Sequence, residues 1–350
     1  MAKVFISDIQ PGQEVESTFV VEQKELRTAR NGNAFLTLKL RDRTGRLTGR
    51  VWERAEELGR TVSAGTVVRI RGRSETYRDE LQLSIVSMAP VPAEAIRPAD
   101  YLPVSPVAPE SLWKDLTDLM LQVERRPLRE LLRRIFSDPE IADRFKKAPA
   151  AKSVHHAYLG GLLEHTVAVA RLADRICGLY GELDRDLLLA GALLHDIGKI
   201  REFTYDLVID YSPVGRLVGH MVLGAEILEG KLQGMRGFPE EDAMLLKHLI
   251  LSHHGQTEFG AVQPPMTREA VALHFADDLD AKMSNLTRIL EESEGTDGLW
   301  TAYQPLHNRF FFKGRAARDE VTSTENLEEG PPEIKQLRLW DAAREKRRDG

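Results

Sequence analysis

A dispersed series of histidines and aspartates constrains this chain more than any other feature. His165 comes first, in GGLLEHT. His195 and Asp196 follow in LLHDIGK, then His220 in VGHMVLG, His253 and His254 in LSHHG, and Asp277 in HFADDLD. The gaps are 30 residues from His165 to His195, 24 from Asp196 to His220, 33 from His220 to His253 and 24 from His253 to Asp277. Gaps of that size place each group on a different helix of one bundle. Imidazole nitrogen and carboxylate oxygen are the ligands that suit the divalent metals used for hydrolysis. A single such residue has a bland reading as a hydrogen-bonded core group. A buried aspartate is costly without a charge partner, and a whole series on successive apolar helices reads as a metal site.

Upstream of the series the hydrophobic period is two. Val15, Thr18, Phe19, Val20 and Val21 mark a first strand within Glu14–Glu25. Phe35, Leu36, Leu38 and Leu40 mark a second, Arg46–Trp52 a third, Thr66–Gly72 a fourth and Leu81–Met88 a fifth, with a short helix at Ala55–Leu58. Five strands with a helix between the third and fourth match the partly open barrel called the OB-fold. Residues 1–90 are therefore expected to form an all-β domain. Six of the chain's 17 prolines lie from Pro90 to Pro109, so residues 91–110 read as an extended linker. The period then becomes 3.6. Helices are expected around Leu112–Val123, Pro127–Phe136, Leu159–Leu179, Arg185–Leu194, Leu217–Leu232, Glu240–Leu251 and Arg268–Glu292, the last capped by Thr267. Residues 111–313 thus form an all-α bundle, and the charged segment 314–350 reads as a flexible tail.

Composition narrows the function classes. No run approaches the roughly 18 apolar residues needed to span a bilayer, and MAKVFISDIQ does not resemble a secretory signal. The single Cys177 excludes an internal disulfide framework and a thiolate zinc site, and fits a reducing cytoplasm. Residues 1–90 hold 15 Lys plus Arg against 12 Asp plus Glu, a balance of +3, so the remainder of this chain of net charge -6 carries -9. A mildly basic front and an acidic rear suggest two jobs, and ordinary surface charge is the alternative reading of so small an excess.

The His195-Asp196 pair in LLHDIGK, with histidines before and after it, resembles the HD-domain metal-dependent phosphohydrolases over roughly residues 150–290. The resemblance implies His165, His195, Asp196 and Asp277 around one metal. It implies His220 and one or both of His253 and His254 around a second, with Asp196 bridging. Asp280 shares a helix face with Asp277 and reads as a supporting residue. Two such ions, roughly 3.5–4 Å apart, lower the pKa of a shared water for attack at phosphorus. Lys199, one turn beyond Asp196, is placed to contact a phosphate oxygen. Asp196 and Lys199 are therefore the expected catalytic residues. His155 and His156 read as structural or substrate-edge groups, and His248 and His274 as packing.

With the front domain and LHNRFFFKG included, the chain resembles the YhaM family of bacterial 3′-to-5′ exoribonucleases, on HHAYLGGLLEHT, LLHDIGKIREF, LSHHG and HFADDLDAKMS. That resemblance implies hydrolysis of single-stranded RNA from its 3′ end with divalent metal, manganese before magnesium. Single-stranded DNA stands as a further candidate substrate. OB-folds hold single strands by stacking bases on aromatics in a basic groove. The candidates are Phe35, Trp52 and Tyr77 with Arg41, Arg43, Arg50, Arg71, Arg73 and Arg78. Two alternatives stay open: an HD-type nucleotide or cyclic-dinucleotide phosphodiesterase, and a non-catalytic single-strand-binding protein. Subunit number is not legible, and a homo-oligomer is left open.

Overall fold

The computed structural model describes residues 3–28, 32, 34–77 and 80–314. Five strands close the front barrel: β1 (Glu14–Thr28), β2 (Ala34–Asp42), β3 (Gly45–Val51), β4 (Val67–Tyr77) and β5 (Glu80–Pro90), with α1 (Ala55–Thr61) between β3 and β4. Their order around the barrel is β1-β2-β3-β5-β4, with β3 and β5 parallel and the other pairs antiparallel. Inward positions are apolar because alternate side chains point to one face. Phe19, Val21, Leu36, Leu38, Leu40, Val51, Val68, Ile70 and Leu83 fill the interior with essentially no exposure. Each such side chain contributes about 1.5–3 kcal/mol of burial.

The proline-rich stretch is not an extended linker. It makes 3-10 turns at Ala93–Ala95 and Pro98–Asp100, then buries Tyr101 and Leu102. The Tyr101 ring packs with Val20 and Val67 of the barrel, and its hydroxyl donates to Thr18 Oγ1 at 2.8 Å. Leu102 packs with Phe203 and Ile209 of the helical domain. Proline excludes regular ladders, but apolar side chains between the prolines still find surfaces to cover.

The helices are α2 (Pro109–Leu121), α3 (Arg126–Phe136), α4 (Pro139–Lys147), α5 (Gly161–Cys177), α6 (Arg185–Leu194), α7 (Lys199–Glu202), α8 (Pro213–Val218), α9 (His220–Leu232), α10 (Glu240–Ser252) and α11 (Arg268–Glu292). Side-chain caps set several starts. Asp184 accepts from Leu187 N at the head of α6, and Thr267 Oγ1 accepts from Ala270 N at the head of α11. Helix α6 is buried from Asp186 to Leu194 and packs against α5 and α10, so the residues at its end are delivered to the middle of the bundle. Two features differ from the all-α expectation. Helix α4 was not anticipated, and a two-stranded hairpin, β6 (Phe203–Tyr205) with β7 (Ile209–Tyr211), follows α7. The expected Leu217–Leu232 helix is broken at Gly219 into α8 and α9.

Compactness divides the chain after Lys282 rather than at residues 91–110. In the second unit, Trp300 packs on Phe312, Tyr303 on Phe310 and His307 on Phe311, so the aromatic run there is a packing anchor. The expected tail beyond Gly314 lies outside the described residues.

Candidate metal centre

Asp196 stands at the meeting point of the series. It follows His195, which ends α6. Its Oδ2 lies 3.4 Å from Nε2 of both His165 and His195. Its Oδ1 lies 3.5 Å from Nε2 of both His220 and His253. Asp277 completes the first group, with Oδ1 3.1 Å from His165 Nε2 and 3.9 Å from His195 Nε2. His254 completes the second, since the ligand atoms of His220, His253 and His254 lie within 4.8 Å of one another. One carboxylate therefore turns a different oxygen to each of two clusters. Both side chains of the HHG motif fall in the second.

The far nitrogens of the rings are engaged behind the site. Nδ1 of His195 donates to Ala192 O, and Nδ1 of His253 donates to Ile250 O, both at 2.8 Å. His220 Nδ1 meets Glu202 Oε1 at 3.0 Å, and His165 Nδ1 meets Asp280 Oδ2 at 2.7 Å. Such partners hold the tautomer whose Nε2 lone pair points inward. Among the described residues, Nε2 of His220, Nε2 of His253 and both oxygens of Asp196 are buried without a hydrogen bond. Lys199 Nζ pairs with Asp196 Oδ2 at 2.6 Å as a charge, which leaves Oδ1 and the two Nε2 atoms as the orphans. Each orphaned polar atom costs about 1–3 kcal/mol unless something fills its lone pair. A divalent cation with mixed nitrogen and oxygen preference fits these donors.

Electrostatics favour that donor set at Asp196, His253 and His254 and set a proton against it at His165. Burial opposes an Asp196 carboxylate, but Lys199 and the histidines overcome it and hold its pKa well below the ordinary value. Burial opposes a charged His165, and the facing carboxylates of Asp196, Asp277 and Asp280 overturn the penalty and raise its pKa well above normal. Burial, with the charges of His253 and His220, pushes His254 down to about 3. Burial, with the charge of His195, lowers His253 against the pull of Asp196. Neutral imidazoles are the form that binds metal.

Two glycines explain the local motifs. A Cβ on Gly198 of HDIGK would lie 1.9 Å from the carbonyl oxygen of His220, so only glycine lets α9 approach the head of α7 this closely. Gly255 of HHG has a φ of +80°, and a Cβ there would sit 2.3 Å from the His274 ring. That ring is fastened by a 2.8 Å hydrogen bond to His253 O.

Sequence reasoning missed Glu202. Its Oε1 accepts from both the backbone N and Nδ1 of His220, each at 3.0 Å. An acidic residue six positions after Asp196, inside the same segment, was the available signal. Asp278 points away to Lys282, while Asp280 also meets His156 Nε2 at 3.0 Å. His155 has its ring 5.7 Å from that of His165, and burial with the Lys199 charge pushes its pKa to about 3.

The barrel carries a separate feature. Phe35 and Trp52 stack at 4.9 Å on its outer face, and Trp52 is 48% exposed, so neither belongs to the barrel core. The Arg50 guanidinium lies 5.8 Å, 5.9 Å and 5.4 Å from the rings of Phe35, Trp52 and Tyr77. Arg73 aligns with Arg50 across Ser84 of β5, and Arg71 lies outward on the same strand, opposite Glu16. Arg43 is at the β2–β3 turn, at the other end of those strands, over the Phe5 ring. Arg41 is not a surface cation. Its side chain is 13% exposed, pairs with Glu22, and donates to the carbonyls of Tyr101 and Leu207, because the barrel meets the helical domain there. Arg78 lies outside the described residues.

Comparison with known proteins places these features. The HD domain family matches residues 162–282, and the OB-fold nucleic acid binding domain family matches residues 19–91. The 3'-5' exoribonuclease YhaM of Halalkalibacterium halodurans is 33% identical over 306 residues, covering 87% of this chain and 94% of its own. That of Bacillus subtilis is also 33% identical, covering 86% and 95%. The chain belongs to the YhaM family. In this YhaM-family chain the HD match contains all seven metal-type residues, and the OB match contains the Phe35–Trp52 stack. Among solved structures, the HD domain of the L. monocytogenes phosphodiesterase PgpH is 21% identical, with a TM-score of 0.30, over 45% of this chain and 82% of its own.

Proposed function

We propose that this chain is a metal-dependent 3′-to-5′ exoribonuclease acting on single-stranded RNA, with single-stranded DNA as a second substrate. The observation that carries the reading is Asp196 facing two histidine clusters with a different oxygen to each, on a chain alike over most of its length to proteins named 3'-5' exoribonuclease. His165, His195, Asp196 and Asp277 would hold one divalent ion, and His220, His253 and His254 with Asp196 a second. Bound ions supply Lewis acidity and an activated water for attack at phosphorus.

The protein's own groups do the rest. Glu202 and Asp280 hold His220 and His165 with their Nε2 atoms inward. Lys199, buried beside Asp196, sets a positive charge where phosphate oxygens gather. Phe35 and Trp52 with Arg50 offer a stacking face that tolerates any base, as exonucleolytic decay requires. Manganese suits a site of mixed imidazole and carboxylate donors, which is less favourable to magnesium. The lone Cys177 suits a reducing cytoplasm.

The test is a time course on 5′-labelled single-stranded RNA with manganese, beside chelator and beside Asp196→Ala. A ladder of shortening labelled products, absent from both controls, is expected. Intact RNA with folded, metal-loaded protein would overturn the reading in favour of a nucleotide substrate.

A further inference from the structure

Resting on that reading, we propose a nucleotide-binding station between barrel and metal centre: Tyr211 stacks a base of the incoming strand, and Lys152 with Arg216 holds its flanking phosphates. The ligand class is single-stranded polynucleotide, read without regard to sequence.

Placement is the first argument. The hairpin β6–β7 and helix α8 fill the chain between the Asp196 segment and His220. At one end, Leu207 O accepts from Arg41 of the barrel at 2.9 Å, and the Leu207 side chain packs beside Val20, Val67 and Tyr101. At the other end, Ser212 N donates to Glu202 O at 2.8 Å, and Glu202 holds His220. Lys152 lies three residues before His155, whose ring neighbours His165. The hairpin therefore joins the barrel, at the Arg41 end of β2 rather than at the Phe35–Trp52 stack, to the cluster of donors.

Chemistry is the second. Tyr211 is 40% exposed, with the Phe203 ring 5.2 Å behind it. Lys152 Nζ is 5.8 Å and Arg216 Cζ 5.7 Å from its ring centre. Both cations approach one oxygen, Asp210 Oδ1, at 2.7 Å and 3.2 Å. Two positive charges share one carboxylate, so a net positive charge stands over an aromatic ring that solvent still reaches. Phe203 pairs with Tyr211 across the hairpin, but exposed ion pairs add little to stability, so packing does not require the two cations there. Stacking with adjacent cations is how proteins grip single strands without reading sequence.

The experiment is fluorescence anisotropy with a labelled single-stranded oligoribonucleotide in chelator, across a salt series, on full-length protein. Tyr211→Leu is expected to weaken binding about tenfold, whereas Tyr211→Phe, which keeps the ring, restores it. Lys152→Ala and Arg216→Ala are each expected to lower the salt slope by about one. Arg216 is exposed, so its variant remains informative if Tyr211→Leu melts early. Variants that bind with parental affinity and slope, while the parent binds and shortens RNA, overturn the station alone. A parent that neither binds nor shortens RNA overturns the nuclease reading on which it rests.

Discussion

Replacing Gly255 by alanine tests how the HHG motif builds the second donor cluster. The new Cβ would lie 2.3 Å, 2.4 Å and 2.6 Å from three atoms of the His274 ring. Ordinary carbon contacts are about 3.5–4.0 Å, so ring and loop must part by about 1 Å. His274 is not free to swing, because its Nδ1 holds His253 O, and the shift passes to His253 and His254. A left-handed residue other than glycine costs about 1–2 kcal/mol, and overpacking about 1–3 kcal/mol more. Urea unfolding of metal-free Gly255→Ala should therefore show a loss of about 2–5 kcal/mol. In a His274→Ala background the ring is gone, and the same substitution should cost only the backbone part, about 1–2 kcal/mol. Displacing donors by about 1 Å should also lower metal-dependent cleavage on the order of a hundredfold. An equal cost in both backgrounds, or a single variant as stable and active as the parent, would refute the steric argument.

Three further outcomes follow from the same geometry. Glu202→Ala removes the oxygen that accepts both hydrogen bonds behind His220 and should weaken metal binding about 10- to 100-fold by calorimetry; unchanged affinity would show that the ring is held otherwise. Arg41→Ala empties a buried contact between barrel and hairpin, so a loss of about 3 kcal/mol in unfolding is expected, with no change in the salt slope of RNA binding. A reduced slope would instead mark Arg41 as a phosphate contact. The His165 pKa is raised, so a proton competes with the cation, and manganese affinity should fall as the pH drops from about 8 to about 6; pH-independent binding would exclude that competition.

The metal-type residues were legible because their chemistry is rare in apolar helices and their spacing matches helix ends. LLHDIGK and LSHHG stand at the C-terminal ends of α6 and α10, where the last turn aims side chains into the bundle. The barrel strands were legible because alternation of Val15, Phe19 and Val21, and of Leu36, Leu38 and Leu40, follows directly from the pleat. Local pattern carries no information on distant partners. Which far nitrogen Glu202 or Asp280 engages, and which oxygen of Asp196 faces which cluster, depends on helices brought together across tens of residues. Arg41 shows the same limit. By sequence it is one of several arginines on a basic barrel, and only the docking of hairpin carbonyls against it turns it into a clamp. Periodicity thus determined the two folds, and ligand chemistry named the candidate donors. Tertiary packing alone decided the grouping of the candidate donors, the strap made from the proline-rich segment, and the placing of Lys152 and Arg216 over the Tyr211 ring.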